Sequence, residues 1–331
     1  MKKWIRVFLL TVCGVSAGWA QPDARHFPAD AKWMLHLDLK ALNASPMGRF
    51  ARESLGAEGQ RRLAALKAMS GIDLTNDVDS VVVCGRGDTR AGGLLYAYGR
   101  FDIAKLTAIA GGGKAFQNKA LGERSVLSWL DRGKRTNLCF IDPTLAVMSQ
   151  DEALIEEAVA RIDGKKPGLG AGQGFANILA HNKNRFFAFQ ATDLAALAGT
   201  NPQFQLFKQA EALLLEIGQT SGANGLDCAL ALKTPNAETA QQMNQAAMGL
   251  QALVMLQAAQ NPDAAALAQG VTVTLKDTYV TVNLKLSKET LEKLAQTQIA
   301  QHEASQAARQ AKREAAPVPG AEKQQPKRPA F

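Results

Sequence analysis

Residues 136–163 read T-N-L-C-F-I-D-P-T-L-A-V-M-S-Q-D-E-A-L-I-E-E-A-V-A-R-I-D, and a glycine-rich run follows. No other stretch restricts the possible folds of the chain as tightly. Leu138, Phe140, Ala146 and Met148 alternate with more polar neighbours, the period of half-buried strands. Asp142-Pro143-Thr144 suits the turn between them, because proline fixes φ and aspartate bonds the backbone. Ser149 stands three residues before Glu152, the spacing of a capping box. Leu154, Ile155, Ala158, Val159 and Ile162 then form one helical stripe. Gly164 stops the helix and Pro167 prevents its resumption. Strand, turn, strand, cap and helix in this order predict an α+β fold.

The same grammar recurs along the chain. Trp33, Leu35, Leu37 and Leu39 lie on one face of a strand; Ser45 then caps a helix with Pro46 in its first position. Val78–Cys84 and Leu94–Gly99 read as strands, and Asp102 caps a helix that Gly111-Gly112-Gly113 ends. Ser125–Leu130 adds a strand. In the second half, Arg185–Leu194 and Leu226–Leu232 read as strands and Gln203–Ile217 as a helix. A long helix runs from Thr234-Pro235 to about Ala259. Val271–Leu275 and Tyr279–Leu286 form a hairpin, and Ser287 caps a final helix.

Aligning the halves gives D-L-K-A-L at Asp38 against D-L-A-A-L at Asp193. The hairpin plus Ser149 helix aligns with the hairpin plus Ser287 helix. The expected architecture is two similar α+β units, each a mainly antiparallel sheet with helices on one face. The boundaries are a signal peptide at 1–20, a first unit at 21–163, a glycine-rich linker at 164–174, a second unit at 175–296 and a basic tail at 297–331. One continuous sheet and two separate sheets both fit this pattern. The tail, rich in Ala, Gln, Lys, Arg and Pro, is expected to be largely disordered.

Lys2, Lys3 and Arg6, then apolar Val7–Val15, then Gly18-Trp19-Ala20 form a secretory signal with cleavage expected after Ala20. The chain is therefore expected to be exported, to periplasm or exterior. Valine before Cys13 disfavours lipidation there, and no later apolar run is long enough to span a bilayer. Most of the net charge of +8 resides at the ends. The signal holds three of the positive charges, and the tail after Thr297 holds six Lys/Arg against three Glu, which leaves the body at +2. A nucleic-acid partner is not expected. Cys84, Cys139 and Cys228 remain in the mature chain, an odd number. All three sit in apolar runs, and buried free thiols are the main expectation, with a Cys84–Cys139 disulfide as the alternative.

Phe27–Pro46, F-P-A-D-A-K-W-M-L-H-L-D-L-K-A-L-N-A-S-P, resembles the opening of a broad set of uncharacterised bacterial exported proteins. Their middle carries a strand-then-helix phrase similar to L-A-V-M-S-Q-D-E-A-L-I-E-E-A-V. The resemblance implies the two-unit α+β fold and brings no activity and no catalytic residues.

The search for chemistry assigns no catalytic, cofactor-binding or metal-ligating residue. His36 and Asp38 share a strand face and could act as an acid–base pair. But Asp38 recurs as Asp193 without the histidine, which favours a turn or cap role. His26, His36, His181 and His302 are too scattered for a metal site. Gly111-Gly112-Gly113-Lys114 lacks the spacing and hydroxyl of a phosphate loop, and Gly168–Gly174 lacks the dinucleotide spacing. Asp151, Glu152, Glu156 and Glu157 suit a helix N-terminus or its wet side. In the long helix, Met243, Met248, Leu250, Leu253, Val254, Met255 and Leu256 are expected to pack on the sheet. A methionine-rich groove for a partner or lipid chain is the alternative. The expected function is a non-catalytic binding or scaffold module for an unidentified protein or envelope component. An apolar-ligand carrier, or a hydrolase with dispersed acid–base residues, is the runner-up.

Overall fold

The structure is a computed structural model. It describes residues 22–87, 92–170, 175–179, 184–192, 194, 206–220, 225–258, 262–297, 300, 304 and 305. The chain forms two compact units, Met1–Leu286 and Ser287–Phe331. In the second unit residues 288–297 are helical, and Ser287 Oγ accepts the Thr290 N–H, the cap its sequence predicts.

The first unit is built on twelve strands: β1 Trp33–Asp38, β2 Val78–Gly85, β3 Leu94–Gly99, β4 Gln117–Leu121, β5 Arg124–Asp131, β6 Lys134–Asp142, β7 Leu145–Ser149, β8 Arg185–Ala191, β9 Ala212–Gln219, β10 Gly225–Lys233, β11 Val271–Lys276 and β12 Tyr279–Ser287. All twelve join one sheet in the order β11-β12-β10-β9-β8-β1-β2-β3-β7-β6-β5-β4. Of the two arrangements open from sequence, the continuous sheet is adopted. The halves meet where β1 and β8 pair antiparallel, Leu35 opposite Phe189 and His36 opposite Ala188. Outward from that pair the orders are β2-β3-β7-β6 and β9-β10-β12-β11. Each half thus lays down two strands and returns a hairpin in reversed order, and β4–β5 extend the first half.

The helices are α1 Leu39–Ala44, α2 Pro46–Ser54, α3 Gly56–Ser70, α4 Ile103–Gly111, α5 Glu152–Ile162, α6 Ala176–Leu179, α7 Ala237–Ala258 and α8 Pro262–Gly270. Strand alternation sorts side chains onto two faces. The front face presents Met34, Val82, Cys84, Tyr96 and Val147. They form one core with Phe27, Leu169, Phe175, Ile178 and Ile155 and Val159 of α5. The back face has two cores. One gathers Leu127, Leu138, Ala146 and Phe101 with Leu106 and Ala110 of α4. The other gathers Trp33, Leu232 and Val280 with Ala240 and Met243 of α7. Helices therefore cover both faces: α4 and α7 the back, α5 the front.

Three expectations need correction. Helices are expected on one face of each sheet, but α5 and α4 of the first half pack on opposite faces. In its described part the expected helix over Gln203–Ile217 is replaced by a short 3₁₀ turn, Leu206–Gln209, and a strand, Ala212–Gln219, held between β8 and β10. A run such as A-L-L-L-E-I carries apolar groups on both sides, which fits a helix stripe and a sheet-interior strand equally well. Here the two neighbouring strands supply the hydrogen bonds, so the strand wins. The cap of α5 is also displaced. Strand β7 runs through Ser149, whose Oγ accepts the Asp151 N–H, and Asp151 Oδ1 caps the helix at the Ala153 N–H.

The stretch after Gly164 is anchored at its start. Leu169 is buried and its N–H donates to the Phe27 carbonyl at 2.9 Å. Gly168 lies against the Arg25 carbonyl, where a Cβ would collide with backbone. Residues 171–174 lie outside the described residues.

Candidate functional site

His36 and Asp38 each hold a structural hydrogen bond. His36 is buried, and its Nδ1 lies 2.9 Å from the Ile178 carbonyl, which ties β1 to α6. Asp38 ends β1 and accepts the Ala41 N–H at 2.7 Å, which caps α1. That is the cap role its sequence position suggests. Its counterpart Asp193 lies outside the described residues, as do His181 and His302. His26 stands in the N-terminal segment beside the front face, where burial lowers its pKa. Among the described residues, no group of three or more His, Cys, Asp or Glu is placed to hold a metal ion.

The glycine run 111–113 ends α4, with Gly112 as its C-cap, and no strand leads into it. Glu157 is the centre of an ion-pair cluster. It meets Arg86 at 2.7 Å and Arg161 at 2.6 Å, and Arg86 reaches on to Asp30. The Arg86 hydrogen bond is the largest influence in lowering the Glu157 pKa to about 2. The cluster joins α5 to β2 and the N-terminal segment, so these charges serve structure. A recess beside α5 is lined by Arg124, Glu156, Asp163 and Lys165. Arg124 pairs with Asp163 at 2.8 Å, Lys165 with Asp163 at 3.1 Å, and Glu156 with Lys119 at 3.4 Å.

Cys84, Cys139 and Cys228 are free thiols. Cys84 on β2 and Cys139 on β6 are three strand positions apart, because β3 and β7 lie between them. At about 4.8 Å per position this is on the order of 14 Å, twice the ~7 Å limit between Cα atoms of a disulfide. Burial pushes the Cys84 thiol up to about 12 and the Cys139 thiol up to about 11.

The surface feature that the fold leaves unexplained is on α7, where the expectation of sheet packing holds for Met243 and fails from Met248 onward. Ala240, Met243, Ala247, Gln251 and Ala258 follow helical spacing and form its less exposed side. Ala240 and Met243 are at most 1% exposed. Gln251 donates to the Val271 carbonyl of β11. At 100° per residue, Gly249, Ala252, Leu253 and Leu256 occupy the opposite side, with Met248 on one flank and Leu250 on the other, while Met255 stands one turn from Gln251. Leu253 is 57% exposed and Leu256 71%. From Met248 onward, α7 turns small and polar residues to the sheet and large apolar residues to solvent. The sequence signal for this was the position of Gln251, a polar group on the stripe of Ala240, Met243 and Ala247 where a continued buried stripe would carry an apolar one.

These features define an α+β protein built on a single antiparallel twelve-stranded sheet, with an apolar helix surface on its back face. No protein-family model matches the chain, and no curated protein matches it. Solved structures similar to it include crystal form I of TP0453, at 11% identity over 84% of this chain and 98% of that one, with a TM-score of 0.47. Crystal form IV of TP0453 is similar at 10% identity over 84% and 96%, with a TM-score of 0.49.

Proposed function

We propose that this protein is an exported, non-catalytic binding or scaffold module that works through the apolar outer surface of α7. The observation that carries this reading is the outward orientation of Leu253 and Leu256 on a helix whose inner side is already packed. A folded chain gains nothing by holding such side chains in water, so their burial by another molecule is the natural use of the site. The outward orientation favours a docking surface over an internal carrier cavity. The bond of His36 to the Ile178 carbonyl and the capping of α1 by Asp38 favour a structural over a hydrolytic role. Lys2, Lys3, Arg6 and the apolar run behind them support export, as does the resemblance of Phe27–Pro46 to exported proteins. Among the described residues no helix is long and apolar enough to cross a membrane.

The test is a photo-crosslinking amino acid placed at position 253, with position 119 on exposed strand β4 as control. Adducts formed in native envelope extract are identified by mass spectrometry. Defined adducts at 253 that disappear with Leu256→Glu are expected. Equal labelling at both positions would overturn the reading. Turnover by the purified protein that is lost in His36→Ala would overturn its non-catalytic part.

A further inference from the structure

We infer that residues 22–27 form a strap over the front face of the sheet, and that mild acid loosens it through His26.

The strap is held by few contacts. Phe27 is fully buried, and its ring meets Tyr96 of β3 edge-on with centroids 4.7 Å apart. The Tyr96 hydroxyl donates to the His26 carbonyl at 3.1 Å, and the Leu169 N–H donates to the Phe27 carbonyl at 2.9 Å. Beyond Phe27 the chain is fixed independently. Asp30 pairs with Arg86 at 2.8 Å, and the Lys32 N–H donates to the Gly85 carbonyl at 2.8 Å. Residues 22–27 can therefore lift while β1 stays in place. The contact they make is also imperfectly satisfied. His26 Nδ1, the Tyr98 hydroxyl and Arg161 Nη1 are buried and have no hydrogen-bond partner among the described residues. Tyr98 stands two residues along β3 from Tyr96, and Arg161 is on α5, which packs against the strap. Each of these atoms has given up water without a replacement, which makes opening easier.

His26 is the one of the three that titrates near neutral pH. In a neutral ring Nδ1 can remain a bare lone pair, whereas in the imidazolium it is an N–H that needs an acceptor. The two carboxylates that act on the ring are already engaged. Asp23 gives both oxygens to Arg25, and Asp142 gives Oδ1 to the Thr144 N–H and hydroxyl. Arg25 adds a like charge. From the elements packed around the strap come Tyr96 and Tyr98, whose phenols burial holds neutral, and Glu157 and Arg161, which pair with each other. Arg86 pairs with Glu157, and Lys165 and Lys166 pair with Asp163 and Glu157. Burial is the largest influence on His26 and outweighs the attraction of Asp23, so its pKa falls below the ordinary 6.5. Well above pH 6.5 the ring is neutral whether the strap is docked or lifted. Below that value the lifted ring takes up a proton that the docked ring refuses, and opening grows more favourable until the docked ring protonates too. Opening bares Phe27, Tyr96 and Tyr98, an aromatic surface that stays covered at neutral pH.

The experiment is hydrogen exchange of the purified protein at pH 7.5 and pH 5.0, corrected for the intrinsic rate, with the Leu169 amide as reporter. The carboxylates paired around Glu157 stay ionised over this range. Protection at Leu169 is expected to fall at least about threefold at pH 5.0, the effect of half a pKa unit, while amides of β9 and β10 keep theirs. In His26→Gln, confirmed as folded by circular dichroism, protection at Leu169 should not change with pH. Constant protection in the wild type, an equal fall in His26→Gln, or an equal fall across β9 and β10 would overturn the inference. An NMR titration of the wild-type histidines gives a test that needs no variant: a His26 ring that titrates at or above pH 6.5 would also overturn it.

Discussion

Gln251 Nε2 donates to the Val271 carbonyl at 2.9 Å and fastens the polar side of α7 to the edge strand β11. With that side held inward, the leucines on the far side have no place in the core. The two sides should therefore respond differently to substitution. Met243→Ala removes a fully buried side chain and should cost about 2–4 kcal/mol. Leu253→Gln, measured at sub-micromolar concentration, should change stability by no more than about 0.5 kcal/mol. Urea unfolding of both variants is the check, and comparable losses would mean that the two sides of the helix are not distinct.

Gly168 packs where a side chain has no room, against the Arg25 carbonyl. Gly168→Ala should push Leu169 away from the N-terminal segment and cost about 1–3 kcal/mol. Faster amide exchange at the Leu169 N–H, which bonds Phe27, would accompany the loss. Unchanged exchange there would show that the stretch is not anchored.

Glu157 couples the same region to pH. The Arg86 guanidinium, with Arg161 assisting against burial, holds the Glu157 carboxyl at about 2 rather than the usual 4.5. A folded-state pKa below the unfolded one means that the contribution is complete above pH 4.5 and is lost as pH falls towards 2. Partial exposure of the cluster reduces its worth to about 1–2 kcal/mol. Wild-type stability should thus decline more between pH 4.5 and 2 than that of Glu157→Gln. Parallel acid unfolding curves would count against the cluster as a source of stability.

The thiols offer a chemical check on the sheet order. The thiolate is the reactive form, and burial pushes Cys84 and Cys139 up to about 12 and 11. Neither should react with a disulfide reagent at pH 8 until the protein is unfolded, and oxidant should not link them. Mass spectrometry of peptides from oxidised native protein would reveal a Cys84–Cys139 bond if β3 and β7 did not separate them.

Asp38 acts through its carboxylate on the Ala41 N–H. Asp38→Ser keeps a capping oxygen and should stay within about 0.5 kcal/mol of wild type. Asp38→Ala should lose about 1 kcal/mol. Equal losses in thermal unfolding would point to a role for the charge rather than for the cap.

The sequence by itself determined the local elements whose signals are local. Asp142-Pro143-Thr144 is a turn, Ser45-Pro46 starts a helix and Asp102 caps another. Each rests on dihedral preference or on a hydrogen bond spanning a few residues, which a short window contains. The α+β class follows from these elements taken together. Tertiary structure decided the rest. Whether A-L-L-L-E-I at 212–217 became strand or helix depended on β8 and β10, which supply its hydrogen bonds from elsewhere in the chain. Whether the halves shared a sheet depended on β1 meeting β8, residues 33–38 against 185–191. The candidate site was the least legible feature. The composition of α7 showed an apolar helix, but which side met the sheet was settled by the packing of Ala240 and Met243 and by the bond from Gln251 to Val271. A sequence window records which residues a helix carries; the neighbours it packs against determine which of them are left in water.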